Sequence, residues 1–96
     1  MDTNKMAKVF KALSNPNRLK LYLKIVENQE TSYDAGNECL ICDIAKSLSI
    51  GPPTISHHLK ELSNAKLIIT EKKGKYLVAK VNDKMINELN ELLKLH

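Results

Sequence analysis

Residues 49–53 (Ser-Ile-Gly-Pro-Pro) constrain this chain more than any other stretch. They interrupt two runs of helical periodicity. Before them Ile41, Ile44, Ala45 and Leu48 recur at the spacing of one helix face. After them Ile55, Leu59 and Leu62 do the same, with Ala65 extending the stripe. So short a link allows only a tight connection between two helices. Gly51 is expected to bend the chain, and Pro52 suits the first position of the next helix, where the missing N–H costs nothing. That next helix carries a second stripe, Pro53, Ser56, His57 and Lys60 with Thr54 beside it, polar where it could have been apolar.

From Leu67 the period changes. Leu67–Thr70 and Tyr76–Val81 are β-rich runs flanking Glu71-Lys72-Lys73-Gly74-Lys75, which reads as a hairpin with a basic, glycine-containing tip. Upstream, Met6, Val9, Phe10 and Leu13 predict a first amphipathic helix ending near Ser14. Asn15-Pro16 reads as N-cap plus proline at the first helical position of a second helix, whose apolar residues are Leu19, Tyr22, Leu23 and Val26. Residues 28–37 are polar and turn-rich, hence a loop. Asn82 is expected to cap a last helix with Met85, Ile86, Leu89, Leu92 and Leu93 apolar. The expected fold is mainly α with a small β-hairpin, in the order α-α-α-α-β-β-α.

With 96 residues the chain is read as a single domain over 1–96. A chain this size buries roughly two-thirds of its unfolded surface, so its core is thin and self-association would thicken it. No uninterrupted apolar run approaches the roughly 18 residues of a membrane span. The N-terminus lacks the basic start and apolar stretch of a signal peptide, so the expected location is cytoplasmic, with no membrane partner. Two cysteines are too few for a secreted disulfide scaffold.

Net charge is +4 but unevenly spread. Residues 1–26 carry six basic residues against Asp2. Residues 27–43 carry Glu27, Glu30, Asp34, Glu38 and Asp43 and no Lys or Arg. Residues 54–80 carry six Lys against Glu61 and Glu71. A basic half beside an acidic patch suits a polyanionic partner on one face, and equally a solubilised surface.

Two short helices joined by a tight turn, the second with a polar outward stripe, form a helix-turn-helix, and a basic hairpin after it makes the winged variety. The chain also resembles a known family. Phe10-Lys-Ala-Leu-Ser-Asn-Pro-Asn-Arg18 resembles the entry segment of the ArsR-type (arsenical-resistance repressor) transcriptional regulators. Cys42-Asp43-Ile44-Ala45 and Thr54-Ile55-Ser56-His57-His58-Leu59-Lys60-Glu61-Leu62 resemble its helix-turn-helix core, and Gly74 sits where that family turns its wing. The resemblance covers about residues 5 to 96. It implies a helix-turn-helix at about 40–65, a wing at about 67–81, and dimerisation helices at about 4–13 and 83–95. It further implies a homodimer that represses a double-stranded DNA operator and is released by a small signal. The apolar stripes on the first and last helices suit pairing across a two-fold axis.

The candidate DNA-binding residues are Pro53, Thr54, Ser56, His57 and Lys60 on the reading helix and Lys72, Lys73 and Lys75 on the wing. Hydroxyls and imidazole can meet phosphates or base edges, and lysines can anchor phosphates. By resemblance, Ser56 and His57 match DNA-contacting positions. Pro52 and Pro53 stand where relatives often carry polar residues such as Gln and Ser. Arg18 is the only arginine, so the reading helix lacks the usual bidentate contact to guanine. His58 is expected on a solvated face or in helix packing. Lys66 stands where relatives often have Gly.

Cys39-Leu40-Ile41-Cys42 leaves three readings open. Thiolates suit soft metals or metalloids such as Zn(II), Cd(II) or As(III). A pair at a helix N-terminus suits a redox switch. Buried cysteines also serve as small apolar filler. Family members that sense such ions from this helix carry Cys-x-Cys-Asp. Cys42-Asp43 matches the latter half, while Leu40 holds the first Cys position. At the C-terminal helix, relatives that bind zinc or nickel begin with Asp-x-His. Here Asp83 and His96 match two of the four ligand positions and Met85 replaces a histidine.

No metal-hydrolase, P-loop or Ser-His-Asp constellation is present, and an enzyme is not expected. The leading expectation is a homodimeric, sequence-specific DNA-binding repressor, with release by a thiol-reactive signal at Cys39 and Cys42 one of the readings open to that pair. The alternative is a winged-helix module that binds protein without reading DNA, which the two prolines and the missing arginine favour.

Overall fold

The protein is described by a computed structural model covering residues 2–27, 47, 49, 51–73 and 76–94. In chain order these form α1 (Thr3–Leu13), α2 (Pro16–Glu27), α3 (Pro52–Asn64), β1 (Ile68–Lys73), β2 (Tyr76–Val81) and α4 (Asp83–Leu93). The expected helix bearing Ile41, Ile44, Ala45 and Leu48 lies outside the described residues, although Ser47 has helical backbone.

Helices α1 and α2 start where the sequence supplies a side-chain acceptor for the free N–H groups. Asp2 Oδ1 accepts from the Asn4 and Lys5 amides at 3.0 and 3.2 Å. Asn15 Oδ1 accepts from the Arg18 amide at 3.0 Å, with Pro16 first in α2 as expected. Helix α3 opens on Pro52 and Pro53 behind Gly51, with no side-chain cap. The two prolines have no N–H, so two of the donors that would need a partner do not exist.

The core gathers Met6, Val9 and Ala12 of α1, Leu21, Tyr22 and Ile25 of α2, and Ile55, Leu59, Leu62 and Ala65 of α3. Leu67, Ile68, Val81 and Met85 close it from the hairpin root and α4. The α3 stripe is the one its periodicity predicts. In α2 the buried face differs from the expected one: Leu21, Tyr22 and Ile25 are buried while Leu19 and Leu23 are exposed. Apolar residues surround much of this helix, so periodicity alone admits two faces. Phe10 and Leu93, expected on apolar stripes, are also exposed, at 44% and 60%. Lys5 ties α1 to α4 through Glu88, its Nζ at 2.9 Å from Oε2.

The hairpin is longer than the sequence reading. β1 pairs antiparallel with β2 from Ile68↔Val81 to Lys73↔Tyr76, so Glu71, Lys72 and Lys73 belong to a strand rather than to the tip. Their partners Val78, Leu77 and Tyr76 are strong strand formers, and the ladder continues through the weaker side. Leu67 in turn precedes the strand.

Two residues without glycine's freedom adopt left-handed backbone, Ser49 (φ 55) and Lys66 (φ 64). Gly51, expected to bend the chain, has φ −71 and ψ 155, which any residue adopts. The left-handed turn is made at Ser49 instead. Lys66 ends α3 in a Schellman arrangement: its N–H donates to the Ser63 carbonyl and the Leu67 N–H to the Leu62 carbonyl, both at 3.0 Å. The accompanying apolar contact is supplied by Leu62 and Leu67, both fully buried.

Asn82 fastens this junction to α4. Its carbonyl accepts from Met85 and Ile86, as an N-cap residue should, but its side chain does not cap the helix. Instead Nδ2 donates to the Lys66 carbonyl at 2.8 Å, and the Asn82 N–H donates to the Leu67 carbonyl at 3.2 Å.

Left-handed backbone costs a side-chain-bearing residue about 1–2 kcal/mol, part of which glycine returns through the greater freedom of its unfolded chain. Lys66→Gly is therefore expected to stabilise by about 0.5–1 kcal/mol, and Asn82→Ala to destabilise by a similar amount through its lost hydrogen bond. Thermal melts at one protein concentration check both. A lower melting temperature for Lys66→Gly would contradict the strain argument.

Candidate nucleic-acid interface

Helix α3 divides sharply by side. Ile55, His58, Leu59 and Leu62 turn inward, and Pro53, Thr54, Ser56, His57 and Lys60 are exposed. The outward set is the one singled out by sequence. Its members occupy the first turns of α3, where N–H groups and the positive end of the helix dipole also favour anions. A depression of about 250 Å³ runs between α3 and β1, lined by Ser56, Lys60, Ser63 and Thr70 among others. It joins the polar face of α3 to the hairpin.

Of the remaining candidates, Lys72 and Lys73 lie in β1, paired with Leu77 and Tyr76. Asp83 is exposed in the first turn of α4. Cys39, Cys42, Lys75 and His96 lie outside the described residues.

The sequence reading left His58 between two alternatives. It is a packing residue, 4% exposed, and the one buried polar side chain among the described residues. Arg18 Nε donates to its Nδ1 at 3.3 Å, and Arg18 Nη1 donates to the Ala12 carbonyl at 3.2 Å. Accepting at Nδ1 requires the neutral ring with its proton on Nε2. The signal was present in the spacing. Positions 55, 58, 59 and 62 share one helix face, so His58 falls on the apolar stripe while His57 does not. The two rings stand 6.1 Å apart and tilted by 46°.

Burial holds the His58 pKa below the ordinary 6.5, and the nearby Arg18 and His57 push it the same way. The unfolded imidazole takes up a proton as pH falls through 6.5, while the folded one resists. Stability is therefore complete above the unfolded value and is lost as pH falls from there toward the folded one. His58→Gln keeps an acceptor and removes the titration. Urea midpoints between about pH 7.5 and about pH 5 should fall less steeply for this variant than for the unaltered protein. Equal slopes would show that other groups carry the acid sensitivity.

Comparison with known proteins gives this geometry a setting. The family model for bacterial regulatory proteins of the arsR family matches residues 35–70. A Staphylococcus aureus homolog of the cadmium resistance transcriptional regulatory protein CadC is 34% identical over 92 residues, which is 95% of this chain and 69% of that protein. The Bacillus subtilis transcriptional repressor SdpR is 32% identical, over 86% of this chain and 82% of that one. Among solved structures, the homodimeric winged helix-turn-helix DNA-binding domain from Mycobacterium bovis superposes with a TM-score of 0.69 at 21% identity, covering 95% of this chain and 76% of that one. An ArsR-like transcriptional regulator from Rhodococcus gives 0.71 at 20% identity, covering 95% and 77%. The structural likenesses show a winged helix-turn-helix fold. On the sequence matches, the chain belongs to the arsR family of bacterial regulatory proteins, a family of transcriptional regulators rather than enzymes.

Proposed function

We propose that this chain is a homodimeric repressor that binds a specific operator in double-stranded DNA, reading the major groove with α3 and touching the flanking backbone with the wing. The observation that carries this is the exposed stripe of Thr54, Ser56, His57 and Lys60 at the start of α3, beside a lysine-bearing hairpin, in a chain of the arsR family. Ser56 and His57 supply the hydrogen bonds to base edges, the Thr54 methyl meets thymine, and Pro53 fixes the entry of the helix. Lys60, Lys72, Lys73 and Lys75 bind phosphates.

Dimerisation runs through α1 and α4. Phe10 and Leu93 leave large apolar surface exposed on these two helices, which a second copy of the chain would cover. A two-fold pair would present two reading helices to half-sites about 34–36 Å apart.

The signal that releases the DNA acts at Cys39 and Cys42, as a soft metal ion, a metalloid or an oxidant. Two relatives bear names for cadmium and arsenical resistance. Here the support is the pair of thiols two residues apart, followed by Asp43.

Fluorescence anisotropy with the DNA upstream of the protein's own coding sequence tests this. The reduced protein should bind tightly. Binding should weaken with oxidant, arsenite, Cd(II) or Zn(II), and the Cys39→Ser, Cys42→Ser variant should ignore the treatment. Ser56→Ala and His57→Ala should each weaken specific binding by about 1 kcal/mol, ~5-fold. Lys60→Gln, which removes one phosphate contact from each protomer, should instead reduce the slope of log affinity against log salt by about 1.8. Binding that is equal under every treatment would remove the thiol signal. An absence of salt-dependent DNA binding would remove the repressor and leave a module for a protein partner, the reading that Pro52, Pro53 and the arginine-free α3 support.

A further inference from the structure

An open groove of about 740 Å³ lies beside the polar face of α3, on the side away from the wing's depression. Helix α1 contributes Lys8 and Lys11 to its walls, α2 contributes Arg18, and α3 contributes His57 and Glu61. Asn15, at the N-terminus of α2, lies between them. Three cationic side chains and one acidic one therefore line a single concavity. Sequence reading assigned none of them except His57 to a partner.

Among the described residues neither groove lysine is in an ion pair. The ion pairs described, Lys5 with Glu88 and Lys24 with Glu27, use neither Lys8 nor Lys11. Both lysines are exposed. Arg18 engages Nε and Nη1 internally, and a guanidinium has five N–H donors, so its outer edge retains donors for a ligand.

His57 decides what fits. It lies on the exposed face of α3 and also in the groove wall, so the groove continues the surface proposed to meet DNA. B-DNA carries one charge per about 1.7 Å of axis, and a duplex lying along α3 presents further phosphates immediately beyond the bases it reads. The groove also stays clear of the dimer face. At ~100° per residue, Phe10 stands about 160° around α1 from Lys8 and about 100° from Lys11.

We propose that Lys8 and Lys11, with the outer edge of Arg18, form a second backbone clamp that grips operator phosphates on the side of α3 opposite the wing. This rests on the DNA-binding reading above. The first helix then serves two roles on two faces, pairing through Phe10 and gripping DNA through its lysines. The footprint of each protomer extends outward past the bases that α3 touches, bounded by α1 on one side and the wing on the other.

The test compares salt-dependent anisotropy of the unaltered protein, a Lys8→Gln, Lys11→Gln variant, and a Lys20→Gln, Lys84→Gln control with the same charge change at exposed positions of α2 and α4. Thermal melts verify that all three fold. Losing two phosphate contacts per protomer, four in the dimer, should lower the salt slope by about 3.6, so the affinity lost between 50 and 200 mM salt shrinks about 150-fold. The control should keep its slope. On a duplex trimmed of the base pairs flanking the half-sites, the unaltered protein and the Lys8, Lys11 variant should become alike.

An unchanged slope in the Lys8, Lys11 variant, with normal binding by the unaltered protein, overturns the clamp and leaves the repressor reading intact. Equal loss in the control also overturns it, since bulk charge then explains the effect. Saturable binding of inorganic phosphate that depends on Lys8 and Lys11, with no change in DNA slope, overturns it in favour of a small-anion site. No salt-dependent binding by the unaltered protein overturns the repressor reading and the clamp together.

Discussion

Arg18 leaves α2 and reaches two other helices at once. Its Nη1 takes the Ala12 carbonyl near the end of α1, a group with no partner inside its own helix, and its Nε takes Nδ1 of the buried His58 in α3. Hydrogen bonds from a charged donor contribute about 1.5–3 kcal/mol, against about 1 for neutral ones. The larger effect is geometric. The guanidinium is planar, so its two bonds fix where α1 ends and how α3 is rotated about its own axis. That rotation puts Ile55, Leu59 and Leu62 into the core and leaves Thr54, Ser56 and His57 outside. A single side chain thus sets the attitude of the helix on which the proposed function depends.

Much of this was legible in the sequence, and the exceptions share a cause. Helix boundaries followed from Asn15-Pro16 and Pro52-Pro53 because proline and a capping side chain act locally. The buried stripe of α3 followed from spacing, because polar residues occupy its other side. In α2 no such contrast exists, and the choice of Leu21 over Leu23 as core is made by the neighbours. Phe10 and Leu93 counted as apolar without revealing that one chain leaves them uncovered. Propensity assigned Glu71–Lys73 to a turn, yet backbone pairing with stronger strand formers overrode it.

The conformational exceptions were less accessible. Glycine was the natural candidate for the bend before α3, but Ser49 makes the left-handed turn and Gly51 does not. After α3 the same backbone falls to Lys66, and nothing in a lysine side chain itself signals it. Asn82 was expected to cap α4 with its side chain. A carbonyl from another element, that of Lys66, drew that side chain away. Of the candidate site, the α3 residues stand on one exposed face as spacing implied. Arg18 and His58 went unread as a pair because they are distant in sequence and meet only through packing.

The ties at Lys66, Leu67 and Asn82 give the hairpin the mechanics of a lever with its fulcrum at the core. Ile68 and Val81, buried at the root, are paired where α3 ends and α4 begins. The strands then run outward to the Lys73–Tyr76 pair. Five steps of about 3.3 Å put that far pair about 17 Å from the fulcrum, so a tilt of ~10° at the root sweeps it through about 3 Å. A displacement of that size separates a lysine from a phosphate, while the root moves by less than a bond length. Small shifts at the Lys66–Asn82 junction would thus be amplified at the far end of the hairpin, without any part of the core having to open.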